Sequence, residues 1–137
     1  MKIVIMDAQG GGIGRMLTEQ MRKALPDQRL VAVGTNAAAT AAMLKAGASQ
    51  GATGENAVRV NAADADLILA PIGMLLCESM LGEVTDQMAL AIGRSPAHKI
   101  LVPLSRCGVK VAGTPEMTIA EGVTSAVKAA LAWIGQP

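Results

Sequence analysis

Residues 2–17 read KIVIMDAQGGGIGRML, so that a short apolar run, a cluster of four glycines and a helix-periodic segment follow one another directly. The order strand, glycine loop, helix opens the βαβ units that bind nucleotide phosphates. Glycine lets the chain turn tightly and lets backbone N–H groups approach an anion without an intervening Cβ. The start of the helix adds unpaired N–H groups and a partial positive charge. The stretch therefore predicts an anion-binding loop at the first crossover of an α/β fold.

The glycine loop matches none of the common nucleotide-binding motifs completely. When the fingerprint G-x-G-x-x-G is aligned from Gly10, Arg15 stands at the position of its third glycine. When it is aligned from Gln9, Gln9 stands at the position of its first glycine. The P-loop signature fails because no Gly-Lys-Ser/Thr follows. Four glycines in five residues are nevertheless costly to order, and a plain turn, the alternative reading, needs only one or two. The predicted phosphate-binding residues are Gly10, Gly11, Gly12, Ile13 and Gly14.

Two charged residues flank this loop. Arg15 falls in the first helical turn, where a cation opposes the helix dipole by roughly 0.3–1 kcal/mol. A bound phosphate would reverse that penalty, whereas without a ligand the side chain would reach into solvent, and the sequence leaves both open. Asp7 ends the first strand and is predicted to cap loop amides, with a ribose hydroxyl or a metal ion as the alternatives.

Composition describes one domain and excludes several classes of function. The chain has 137 residues, 51% of them apolar, with no Phe or Tyr, so nine methionines and the aliphatic residues fill the core. A net charge of +1 and the lack of aromatic stacking platforms argue against nucleic acid as a partner. The longest apolar run, residues 67–77, is shorter than the roughly 20 residues that span a bilayer. We expect a cytoplasmic protein without a signal peptide, and the high apolar content predicts a homo-oligomer.

Hydrophobic periodicity predicts alternating strands and helices. Strands are predicted at residues 2–7, 30–33, 67–70, 99–103 and 109–112, and helices at 12–25, 37–46, 74–81, 86–92 and from about 118. Residues 47–56 are predicted as a glycine-rich loop, and 57–63 are ambiguous. Because one helical region separates most strand pairs, the pattern predicts a three-layer, doubly wound α/β domain over residues 1–137, with a mostly parallel sheet of about five strands.

Polar residues at the other strand ends complete the predicted site. The second strand ends in Gly34-Thr35-Asn36, where an NAD site usually carries an Asp or Glu for the ribose hydroxyls. This argues against NAD and favours a ligand that is read by neutral hydrogen bonds, with Asn36 also capping the next helix. NADP would fit only with a basic residue nearby, and Lys45 lies one turn too far away. The predicted nucleotide-contacting residues outside the glycine loop are Thr35, Asn36, Ile72 and Gly73. A second-ligand loop is predicted from Thr53, Gly54, Glu55, Asn56, Ser79 and Glu83. The fourth predicted strand is followed by Ser105, Arg106 and Cys107.

The chain carries no recognisable catalytic or metal-binding motif. His98 is the only histidine, so a His-based triad or a zinc cluster is not expected. Cys77 is predicted to be buried packing. Cys107, beside Arg106, is predicted to be a small buried side chain, with a reactive thiol as the alternative. The catalytic residues and the roles of both cysteines are left open.

Several segments together resemble a known family. They are residues 7–14 (DAQGGGIG), 34–36 (GTN), 39–47, 51–57, 71–73 (PIG) and 79–83 (SMLGE). In these segments the chain resembles an uncharacterised family of small bacterial Rossmann-like proteins, a domain of unknown function, and the resemblance covers nearly the whole chain. It implies a nucleotide-binding-like α/β fold in the bacterial cytoplasm. It also implies that loops 34–36 and 51–56 share one site with the glycine loop, but it supplies no substrate.

Two functional hypotheses follow. In the first, the protein binds a phosphate-bearing nucleotide or dinucleotide, with NAD or NADP as the cofactor to test. An enzyme of this kind would be a nicotinamide-linked oxidoreductase acting as a dimer. In the second, it is a non-catalytic ligand sensor or partner subunit. The short chain, which lacks a separate substrate domain and any Tyr for a proton relay, makes the second a serious alternative.

Overall fold

A computed structural model describes residues 1–104 and 108–135 of the chain. Its strands are β1 (Ile3–Asp7), β2 (Leu30–Gly34), β3 (Gln50–Thr53), β4 (Leu67–Pro71) and β5 (His98–Val102). Its helices are α1 (Gly12–Ala24), α2 (Ala37–Lys45), α3 (Glu55–Ala63), α4 (Asp86–Arg94) and α5 (Ile119–Ile134), with a 3-10 turn at Ile72–Leu75. All five strands are parallel, in the order β3-β2-β1-β4-β5, so β1 lies at the centre.

Helices cover both faces of the sheet because alternate residues of each strand point to opposite sides. In β1, Ile3 and Ile5 pack in the cluster that contains α1, α2 and α5. Val4 and Met6 pack in the cluster that contains α3 and α4. Every residue of β1, β2 and β4 is buried, which explains their near-continuous apolar sequences. The predicted three-layer, doubly wound fold is confirmed.

The fifth strand is not the one that the sequence predicted. β3 lies within the segment predicted as a loop, and it lacks an apolar run because it is a short, mostly exposed edge strand. Gly51 is needed there, since a Cβ would lie 2.8 Å from the Thr40 side chain and 2.9 Å from that of Leu44. Residues 109–112, predicted as an edge strand, lie outside the sheet, and Val111 is exposed.

Side-chain caps begin three of the helices, including the predicted cap at Asn36. The side chains of Asn36 and Thr85 accept backbone N–H groups at the starts of α2 and α4, and Thr118 with Glu121 forms a capping box on α5. The ambiguous segment 57–63 belongs to α3. Thr18 of α1 is polar but fully buried, and its hydroxyl is satisfied because it donates to the Gly14 carbonyl at 2.7 Å.

The predicted helix over residues 74–81 is wrong. After the 3-10 turn the chain forms a series of tight turns over residues 76–84, which we call the turn segment. Its backbone is left-handed at Glu78, Met80, Leu81 and Gly82, with φ between 56° and 84°. Long-range hydrogen bonds override the local helical pattern in this segment, because Glu83 accepts the Gln9 amide and the Thr35 hydroxyl.

The predicted loop residues Ser105, Arg106 and Cys107 lie outside the described residues. Over residues 1–104 and 108–135, no helix combines the length and apolar character that a membrane crossing requires.

Candidate functional site

The glycine loop lies at the carboxyl end of β1, where the strand order reverses. The chain leaves β1 through α1 toward β2 on one side, while β4 lies on the other. Crevices at such switch points are the usual ligand sites of open α/β sheets. A cavity of about 340 Å³ opens over the loop. Its wall in the described chain comprises residues 7–13, Arg15 and Met16, together with Met80, Leu104 and Ile119.

Asp7 forms the base of the cavity and caps α1 from outside the helix. Its Oδ1 accepts the Ala8 amide at 2.7 Å, and its Oδ2 accepts the Gly14 amide at 2.7 Å. Burial raises the pKa of this carboxyl, and the amides of Gly14, Ala8 and Ile13 offset the effect only in part. The predicted capping of loop amides is therefore what the structure shows, and the carboxylate occupies one part of the positive helix end.

The other amides of the loop differ in whether they are hydrogen-bonded within the described chain. The Gly11 amide donates to the Ala8 carbonyl at 3.0 Å and closes the turn. By contrast, the amides of Gly10 and Gly12 meet no acceptor within residues 1–104 and 108–135. A Cβ added at either glycine would have no atom within 4 Å, so both positions face open space. These two N–H groups are the donors that an anion can reach.

The other two glycines of the loop serve close packing. At Gly11, φ is 72°, and a Cβ would lie 2.8 Å from the Cα of Ala39 in α2. At Gly14, a Cβ would lie 2.6 Å from the sulfur of Met43 and 2.8 Å from the Cβ of Asp7. The cluster of four thus divides into Gly10 and Gly12, which leave amides exposed, and Gly11 and Gly14, which bring α1 against its neighbours.

Arg15 supplies a cation at the rim of the cavity. Its Nη1 lies 3.4 Å from Oε2 of Glu19, and the two side chains are 51% and 66% exposed. An exposed pair at this distance contributes little to stability, so it does not fix the guanidinium. The side chain is therefore free to turn toward an anion bound at the glycine loop.

A second group of polar contacts, which we call the Glu83 clamp, joins the loop to the end of β2. Oε1 of Glu83 accepts the Gln9 amide at 2.7 Å, the Thr35 hydroxyl and the Asn36 side-chain amide. Asn36 also donates to the Gln9 carbonyl at 2.9 Å. Partial burial acts to raise the pKa of Glu83, but the hydrogen bonds from Thr35, Gln9 and Asn36 outweigh it and hold the pKa below its usual value. The clamp thus places a carboxylate at the end of β2, where the local sequence has none.

The remaining residues predicted for the second-ligand loop lie at other places along the same sheet edge. Thr53 ends β3, and its hydroxyl is 2.7 Å from that of Thr40. Gly54 precedes α3, and Glu55 and Asn56 form its exposed first turn. These residues lie outside the wall of the cavity as described.

The predicted residues that follow β4 serve mainly to hold the turn segment. Ile72 and Gly73 begin the 3-10 turn, and the Gly73 carbonyl accepts the Ser79 hydroxyl at 2.6 Å. Neither Ile72 nor Gly73 belongs to the described wall of the cavity. The structure therefore brings residues 10–13 together around the cavity, and Thr35, Asn36 and Glu83 together in the clamp.

Sequence reasoning missed the apolar wall. Met16 and Met80 were indistinguishable from core methionines, because both occur at helix-like spacing. Leu104 follows β5 and Ile119 begins α5, so their approach to the glycine loop depends on the fold rather than on any local motif.

Cys77 is exposed, which corrects its predicted burial in the core. The turn segment replaces the predicted helix here, and Cys77 lies at its surface. Local desolvation and the charges of Glu78 and Asp86 raise the pKa of its thiol, which lies 3.7 Å from the Glu78 carboxylate. In the part of the chain that the structure describes, no three His, Cys, Asp or Glu side chains are grouped to hold a metal ion.

We expect the clamp to stabilise the fold in a pH-dependent way. Because the pKa of Glu83 lies below its usual 4.5, its charged form stabilises the folded state above about pH 4.5, and this contribution is lost as the pH falls through the folded pKa. The contribution of Asp7 to stability has the opposite sign. Because burial raises its pKa, protonation of the Asp7 carboxyl at low pH favours the folded state. Glu83→Gln should therefore be less stable than wild type at about pH 7, with a smaller difference at about pH 3.5.

Urea denaturation of both proteins at the two pH values measures this difference. The variant also removes the repulsion between Glu83 and Asp7, the smallest of the causes that raise the Asp7 pKa, so this part of the comparison partly offsets the loss of the clamp. A difference that grows on acidification would contradict the assigned direction for Glu83.

The sheet order and the crevice at its switch point define a Rossmann-like α/β protein. The chain belongs to the family described as a domain of unknown function, DUF3842, whose pattern matches residues 2–134. The resemblance inferred from the sequence is thereby confirmed. No curated protein matches the chain.

Among solved structures, the chain is similar to a dodecameric FMN-dependent UbiX-like decarboxylase from Escherichia coli O157:H7. The two share 16% sequence identity and a TM-score of 0.53, over 99% of this chain and 96% of the other. At this identity the likeness concerns the fold.

Proposed function

We propose that the protein binds a phosphate-bearing mononucleotide of the flavin type in the crevice at the carboxyl end of β1. The observation that carries the proposal is the pair of glycines, Gly10 and Gly12, which line the cavity and whose amides have no acceptor in the described chain. They lie at the positive end of α1, where anions bind favourably. The cavity of about 340 Å³ falls within the range of ligand pockets, roughly 300–1,000 Å³.

The charges around the loop determine where a phosphate would lie. Asp7 already takes the Gly14 amide and repels an anion placed over the helix axis. The phosphate is therefore displaced toward Gly10 and Gly12, where Arg15 can add a charge-assisted hydrogen bond. The common fingerprint divides its glycines in a comparable way, with one for the tight turn, one for the approach of the backbone to the phosphate and one for close packing of the helix.

The apolar wall favours a flat ring system beside the phosphate. Met16, Met80, Leu104 and Ile119 offer thioether and aliphatic surface to the cavity. The solved structure of similar fold is described as FMN-dependent, which supports a flavin over the nicotinamide cofactors first considered. Its dodecameric assembly supports the expectation that this chain also forms a homo-oligomer.

A ligand-sensing role is the second candidate. The Glu83 clamp ties both the amide and the carbonyl of Gln9, next to the glycine loop, to segments that are distant in sequence. A ligand that moves Gln9 would therefore disturb the turn segment as well. Turnover of a substrate by the flavin-loaded protein would support an enzyme, whereas ligand-dependent changes in the turn segment without turnover would support a sensor.

Binding is tested by comparing FMN with riboflavin, which differ only in the phosphate. FMN at 100 times its dissociation constant should add about 2.7 kcal/mol to the free energy of unfolding. Riboflavin at the same concentration should stabilise much less, because it lacks the group that the Gly10 and Gly12 amides bind. Thermal unfolding followed by circular dichroism measures both effects. Stabilisation by neither ligand, or equally by both, would contradict the phosphate site.

A further inference from the structure

The Glu83 clamp occupies the place that a second nucleoside would need. On sheets of this type, a dinucleotide runs from the glycine loop after β1 to the end of β2, where its ribose hydroxyls are bound. The donors at that end are the Thr35 hydroxyl and the Asn36 side-chain amide, and both donate to Oε1 of Glu83. The Gln9 amide, at the start of the same path, donates to this oxygen as well. A carboxylate of the protein itself thus spans the route from β1 to β2.

The backbone that carries Glu83 depends on its contacts. In the turn segment Glu78, Met80 and Leu81 are left-handed, a conformation that is unfavourable for residues with a side chain. Such strain persists only where surrounding contacts impose it. Within the segment, the Glu78 amide donates to the Val84 carbonyl at 2.8 Å. The clamp joins the segment to the glycine loop, while buried Val84 and the hydrogen bond from the Ser79 hydroxyl to the Gly73 carbonyl hold the segment to the rest of the fold. Loss of the carboxylate should therefore open the β2 side of the crevice and leave Met80 packed against the core.

We propose that Glu83 determines ligand specificity by closing the β2 side of the crevice, so that mononucleotides enter and dinucleotides are excluded. The inference rests on the proposed function, because it takes the phosphate site at Gly10 and Gly12 as the ligand's anchor. The negative charge of Glu83 adds to the steric exclusion, because a pyrophosphate that crosses toward β2 would approach this carboxylate. Met80 of the same segment lines the remaining cavity, so one segment both closes the dinucleotide path and shapes the mononucleotide site.

The test compares FMN with FAD, which carries the same flavin and an added adenylate. Dissociation constants are measured by isothermal titration on the full chain for wild type, Glu83→Ala and the matched control Glu78→Ala. Glu78 lies on the same segment, is exposed, and is contacted at its carboxylate by the Cys77 thiol. We expect Glu83→Ala to bind FAD about tenfold or more tightly than wild type does, with FMN affinity changed by less than about threefold. Glu78→Ala should match wild type for both ligands.

A second variant guards against misfolding of Glu83→Ala. Glu83→Asp keeps the charge but shortens the side chain by one methylene, so the carboxylate cannot reach all three donors. It should shift FAD affinity in the same direction by a smaller factor. FAD binding that is unchanged in both variants overturns the proposal, and FAD binding that weakens in them assigns Glu83 to the ribose hydroxyls instead. FMN reports separately on the proposed function, because wild type that fails to bind FMN contradicts the phosphate site.

Discussion

Replacement of Gly11 by alanine should lower the free energy of unfolding by about 3 kcal/mol, combining strain in the backbone with overpacking. The residue has a φ of 72°, which side chains of L-residues rarely adopt. A Cβ there would lie 2.8 Å from the Cα and 3.0 Å from the carbonyl oxygen of Ala39. Both are backbone atoms of α2, so no side-chain rotation relieves the contact and the two helices must separate.

Gly12→Ala is the matched control for this experiment. It adds the same methyl group at the next residue, where a Cβ meets nothing within 4 Å and φ is not positive. Because alanine favours the helix more than glycine does, its stability should stay the same or rise slightly. Urea denaturation of the three proteins gives the comparison. A similar loss in both variants would mean that the loop tolerates no side chain, and no loss at Gly11 would contradict the close helix contact.

Local sequence determines most of the fold. The buried strands β1, β2 and β4 are recognisable in the sequence as apolar runs, because a central parallel strand faces a helical layer on both sides. The edge strand β3 has no such run, so its pairing depends on β2 and on contacts of Gly51 with Thr40 and Leu44. Residues 109–112 show the reverse case. Their alternating apolar and polar sequence predicts a strand, but in the described chain they pair with no other strand.

The candidate site also has one part that the local sequence predicts and one part that it does not. The glycine loop is contiguous, so its turn, its open amides and the capping by Asp7 could be inferred from one short stretch. The Glu83 clamp could not, because its hydrogen bonds join residues 47 to 74 positions apart. It also requires left-handed backbone at Met80 and Leu81, residues whose side chains disfavour it and whose spacing predicts a helix. Only the folded chain brings Glu83 to the end of β2.

Arg15→Glu should weaken FMN binding by about 10- to 100-fold. A hydrogen bond to a charged group contributes about 1.5–3 kcal/mol, and each 1.4 kcal/mol corresponds to a factor of ten in affinity. Arg15 lines the cavity beside the open amides, and its exposed contact with Glu19 does not restrain it. Charge reversal removes the attraction to the phosphate and places a second carboxylate near Asp7, so both effects act in the same direction.

Lys23→Glu separates direct contact from the general effect of charge. It changes the net charge equally on the same helix, but it lies eight residues further along α1, about 12 Å at 1.5 Å per residue. At about 0.15 M salt, exposed charges at that distance are largely screened. Isothermal titration should therefore show less than about a twofold change in FMN affinity for Lys23→Glu. An equal loss of FMN affinity in both variants would mean that Arg15 acts only through the overall electrostatic field of the protein. The phosphate would then be held by the amides of Gly10 and Gly12 alone.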